Sequence, residues 1–124
     1  MKSVQSVIEQ AYPFDDQLHT VWFNTPDIFY VAGDAVYRYA YNHWIKYDSL
    51  PYKFINRIRG NDYNDLFICG DFGLISHFNG ITWREFKEAD LSAGLYHSQD
   101  FKGNIMVAVG QYDNQKAVLA IGRR

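Results

Sequence analysis

Apolar residues in this chain fall in short runs closed by Gly, Asp or Asn, and one run organises the rest. Asp65-Leu66-Phe67-Ile68-Cys69 is bounded by Asn64 and Gly70. A run of this length, rich in aromatic and branched residues and closed by Gly, reads as a buried strand. Gly70-Asp71-Phe72-Gly73 follows, with residues that tolerate positive φ, and predicts a reversal. Leu74 to Phe78 is the return strand. Asn79-Gly80 then predicts a two-residue type I′ hairpin turn, in which both residues need positive φ. Ile81 to Phe86 alternates apolar and polar, as a half-buried strand does. Three antiparallel strands in a row make a meander.

Weaker copies flank this stretch. Upstream, Asp27-Ile28-Phe29-Tyr30-Val31-Ala32-Gly33-Asp34 matches Asp65 to Asp71, Val36 to Tyr39 matches Ile75 to Phe78, and His43-Trp44 matches Thr82-Trp83. Downstream, Asn104 to Gly110 and Ala117 to Gly122 repeat the first two strands. Gly33, Gly70 and Gly110 recur 37 and 40 residues apart. A further short strand precedes each copy: Val21-Trp22-Phe23, Ile55 to Ile58 and Gly94 to His97. A period of about 40 residues with four strands per unit is the signature of a propeller blade. An ordinary sandwich with compositionally similar hairpins is the alternative.

Ser76-His77-Phe78-Asn79-Gly80-Ile81-Thr82-Trp83 resembles the Asp-box, Ser-x-Asp-x-Gly-x-Thr-Trp, of sialidase-like propellers. Ser76, Gly80, Thr82 and Trp83 match it. Phe78 stands where the Asp belongs, so the side-chain-to-backbone bond of that Asp is expected to be missing. In the first copy Tyr41-Asn42 replaces the Gly turn. The wider pattern is similar to bacterial propeller repeats of the BNR-like and photosystem-assembly-factor-like kind. The resemblance implies architecture more than activity, because such boxes are structural turns.

The expected fold is therefore all-β, a single β-propeller segment over residues 1–124 built of four-stranded antiparallel blades. Its parts are an outer strand at 6–10, a blade at 19–48, a second at 54–87 and a third at 94–122 that lacks its fourth strand. A short amphipathic helix is the alternative at the N-terminus. Rings of about four to eight blades are known, so three blades imply either part of a longer propeller or half of a six-bladed ring. In the second case two chains form a homodimer by strand exchange, each N-terminal strand completing the other's last blade.

Composition narrows the function. Aromatic residues make up 18% of the 124 residues and concentrate in the expected strands, as packing of sheets on large side chains requires. A net charge of −2 with scattered Lys and Arg gives no basic footprint for nucleic acid. The lone Cys69 lies in an apolar strand and reads as a small buried hydrophobe. No run is long enough to span a membrane as a helix, and MKSVQSVIEQ lacks the apolar core of a signal peptide. The compartment stays open, although relatives of this type are often exported.

Candidate chemistry is sparse. His19, His43, His77 and His97 lack metal-ligand spacing. Asp15-Asp16 and Glu85, Lys87 and Glu88 read as solvated charges. There is no Gly-x-Ser-x-Gly elbow or P-loop, and Arg57, Arg59 and Tyr96 do not reproduce a sialidase set. No catalytic residue, cofactor or metal is expected. Blade geometry would place His19, Arg57, Arg59 and His97 along a channel. It would gather Asp15, Asp34, Tyr52, Asp71, Phe72, Tyr112 and Asp113 on one loop face, where Tyr112 beside Asp113 suits a protein or sugar contact. The expected function is a non-enzymatic interaction or assembly module with an unknown protein or glycan partner. The alternatives are a carbohydrate-binding or glycoside-processing propeller, and a fragment with no function of its own.

Overall fold

The structure is a computed structural model, and it describes residue 6, residues 15–48, residue 50, residues 52–113 and residues 115–124. It contains three antiparallel sheets in chain order. The first holds β1 (Leu18–Thr25), β2 (Ile28–Gly33), β3 (Val36–Ala40) and β4 (His43–Tyr47). The central sheet holds β5 (Ile55–Asp62), β6 (Asp65–Gly70), β7 (Ile75–Phe78) and β8 (Trp83–Glu85). The third holds β9 (Gly94–Lys102), β10 (Ile105–Tyr112) and β11 (Lys116–Arg123). Within each sheet consecutive strands are neighbours, so every sheet is a meander. The all-β antiparallel expectation holds. The described strands do not close into a barrel. The strand expected at 6–10 lies, apart from residue 6, outside the described residues.

Two cores hold the stack together. Tyr30, Ala32 and Val36 of the first sheet pack with Ile55, Ile58, Leu66, Ile68, Leu74 and Phe78 of the central sheet. Phe67, Cys69 and Ile75 on the opposite face of the central sheet pack with Tyr96, Phe101, Met106 and Ala108 of the third. β6 is therefore covered on both faces, which is why its sequence is a continuous apolar run rather than an alternation. The first strands of successive sheets lie side by side, β1 against β5 and β5 against β9.

The same backbone clasp recurs in all three sheets. The amide of Asp34 donates to Gln17 O (3.0 Å), that of Asp71 to Phe54 O (2.9 Å) and that of Asp113 to Ala93 O (2.6 Å). Each acceptor is the residue just before a first strand. This approach explains the glycine of the Gly-Asp pairs. A Cβ on Gly33 would lie 2.2 Å from Gln17 O, and one on Gly70 2.0 Å from Phe54 O.

The turns differ from expectation in two places. Asn79-Gly80 is not a type I′ turn, because only Gly80 has positive φ (98°). Asn79 Oδ1 instead accepts from the amides of Ile81 (2.9 Å) and Thr82 (2.8 Å), which opens a four-residue loop. Ile81 stands exposed in that loop, and β8 is shorter than the Ile81–Phe86 alternation suggests. The side-chain-to-backbone bond expected to be missing with Phe78 is thus made one residue later. In the equivalent β3–β4 turn of the first sheet two consecutive residues do have positive φ, Tyr41 (49°) and Asn42 (68°), although no glycine is present. In the Gly70–Gly73 reversal the left-handed residues are Phe72 (58°) and Gly73 (77°), while Gly70 remains in β6.

Candidate functional site

The box residues hold a turn and a packed indole. Trp83 stacks on Phe78 with ring centres 4.9 Å apart, and Thr82 O accepts from the amide of Asn79 (3.2 Å). Ser76 is buried, and among the described residues neither its Oγ nor Trp83 Nε1 has a hydrogen-bond partner.

Three of the four expected channel residues border one cleft of about 390 Å³. His19, Arg57 and Arg59 line it together with Leu18, Thr20, Val21 and Val31. His97 does not line it. The side-by-side first strands create the cleft and fix its polar contacts. Ile58 N donates to Thr20 Oγ1 (3.3 Å), and Arg57 donates to Ser98 Oγ through Nε (3.2 Å) and Nη2 (2.9 Å). Arg59 Nη1 donates to Ile58 O (2.7 Å) and Val21 O (3.4 Å). Among the described residues neither guanidinium has an ion-paired carboxylate. Burial, then the nearby Arg57 charge, lowers the pKa of Arg59. Two arginines thus border the cleft.

The expected loop residues do not converge on one site. Asp34 and Tyr52 border a small cleft of about 120 Å³ beside Lys46 and Asp48. Asp34 is committed to the backbone, its Oδ2 accepting from Gln17 N (2.7 Å). Asp71 accepts from Asn56 Nδ2 (3.2 Å), and Phe72, half exposed, is tied at its amide to Gly94 O (2.8 Å). Tyr112 and Asp113 border a separate cleft of about 410 Å³ with Asp90, Leu91, Ser92 and Ala93. Lys116 Nζ sits over the Tyr112 ring at 5.7 Å. Asp15 is exposed. Asp16 is more than a solvated charge: Tyr37 donates its hydroxyl to it (2.5 Å) and Lys46 pairs with it (3.3 Å). The Tyr37 bond, against some burial, lowers the pKa of Asp16.

One cluster escapes a linear reading. Asp65 receives Arg124 Nη2, His77 Nε2 (2.7 Å) and Asn61 Nδ2 (3.2 Å). Burial alone would raise its pKa, but the bonds from Arg124, His77 and Asn61 outweigh it and hold the carboxyl at about 2. His77, which lacks metal-ligand spacing, is thus bonded to a carboxylate. The only sequence signal was the hairpin that returns His77 near Asp65, and Arg124 is far along the chain. The cluster pins the end of the third sheet to the start of β6. Cys69 is fully buried and its thiol is pushed up to about 12 by that burial, which makes it an inert part of the core.

The open edge of β11 adds a further feature. A cleft of about 480 Å³ runs between β11 residues, including Ala120 and Gly122, and Phe86 and Ala89 in the segment that follows β8. Among the described residues no group of three His, Cys, Asp or Glu side chains is placed to hold a metal ion. No described helix is long and apolar enough to cross a membrane. Compared with known proteins, the chain matches no family model, no curated protein and no solved structure.

Proposed function

We propose that the three meanders are blades of a propeller-type repeat and that the chain is a non-enzymatic interaction or assembly module. One observation carries this reading: the stack ends in apolar surface on both sides. On the third sheet Ile105, Val109, Leu119 and Ile121 face outward, Leu119 at 57% and Ile121 at 52% exposure. On the first sheet Val21 and Phe23 are 50% and 58% exposed. Soluble chains rarely leave contiguous apolar faces without a use. The sequential strand order, the repeated clasp and the recurring glycines support the blade reading. The test is an apolar fluorescent dye titrated against protein diluted to nanomolar concentration. Dye uptake that Leu119→Arg reduces is expected. A chain that takes up no dye and does not associate overturns the module reading.

A carbohydrate-binding module is the second reading, favoured by Tyr112 beside Asp113 on an open cleft. An aromatic face with an adjacent acceptor is the chemistry that sugar rings use. A glycan array decides it: retention abolished by Tyr112→Ala supports sugar binding, and an array without signal removes it.

A further inference from the structure

We propose that a second copy of this chain covers both end faces, bound head to tail, so that the outer face of each third sheet lies on the outer face of the other copy's first sheet. The inference rests on the module reading above. It comes from one stacking rule that the two buried interfaces already obey.

Strand pairing aligns the first two strands of the three sheets, each with a register shift at the same place, between Leu18 and Thr20, Ile55 and Arg57, and Tyr96 and Ser98. Ala32 opposite Val36, Cys69 opposite Ile75 and Val109 opposite Leu119 hold the same place between the second and third strands of their sheets. The face they mark is buried against the following sheet in the first two cases. In the third sheet the same face points outward. The converse holds for the other face. Val21 opposite Val31 corresponds to Ile58 opposite Ile68. Ile58 is 0% exposed beneath the first sheet, whereas Val21 is 50% exposed. The face left over at one end is therefore of the kind that packs, inside this chain, on the kind left over at the other. Continuing the internal interface across a chain boundary brings the two kinds together.

Each copy offers one face of each kind, so two copies cover all four. The contact is heterologous, and it closes after two chains and six sheets, inside the four-to-eight range of sheet rings.

Light scattering on a sizing column, across a dilution series, should give twice the 14.5 kDa of one chain. Leu119→Arg and Val21→Asp change exposed positions on opposite faces. Each places a charge in an apolar contact and should raise the dissociation constant by roughly a hundredfold or more, leaving single-chain mass. Mixing the two variants should restore the double mass. One contact then joins two unaltered faces, and the other sets Arg against Asp. A single-chain mass for the unaltered protein, with a native β circular dichroism spectrum, overturns the inference, as does a mass that keeps growing with concentration. If that single chain still takes up the apolar dye, the module reading stands and only the second copy is wrong. If it takes up none, both fail.

Discussion

Asp65 is the side chain whose protonation the fold feels most directly. Its carboxyl is held at about 2, below the ordinary 3.8, so folding favours the ionised form. The stabilisation is complete above the unfolded pKa and is lost as pH falls from about 4 through about 2. Thermal melts from pH 5 to pH 2 should show this decline, and Asp65→Asn should flatten part of it. Identical slopes for the two proteins would mean that the Arg124 and His77 contacts contribute nothing. Gly70 is constrained by space rather than charge. A Cβ 2.0 Å from Phe54 O forces the clasp apart, so Gly70→Ala should cost about 1–3 kcal/mol in urea unfolding. Cys69, buried with a raised pKa, should resist alkylation until the chain unfolds.

Among the elements, the β7–β8 connection shows how a turn can be rebuilt with different residues. The Asp of the box motif is replaced by Phe78, which joins the core, and Asn79 takes over the backbone amides. Asn79→Ala leaves those amides unpaired and should lower stability by about 1 kcal/mol, whereas Asn79→Asp keeps the acceptor and should stay near the original value. Urea midpoints distinguish the two. β6 is the element buried from both sides, and its amides should be the slowest to exchange with deuterium. Truncating its centre, Ile68→Ala, removes a side chain at the first interface and should cost about 2–5 kcal/mol.

At the scale of the whole molecule, the order of sheets follows the order of the chain, and that much was legible beforehand. Short apolar runs closed by Gly-Asp, repeating every 40 residues or so, determine meander strands, because a strand needs only local alternation or local burial and a turn needs only local φ freedom. Leu66 to Cys69 could be read as doubly buried for the same reason. The sequence also marked Gly33, Gly70 and the Trp44–Trp83 correspondence. It could not decide the Asn79-Gly80 turn, since Asn79 has a choice between adopting positive φ and capping its neighbours' amides. It could not join Arg124 and His77 on Asp65, because those side chains meet only when the third sheet docks on the central one. Of the residues that blade geometry groups on one loop face, Asp34 and Tyr52 border one cleft and Tyr112 and Asp113 another. What only tertiary structure decides is which face of each sheet is covered, and hence which two apolar faces remain. Burial is a property of neighbours, and neighbours from different sheets are set by packing, not by any local pattern in the chain.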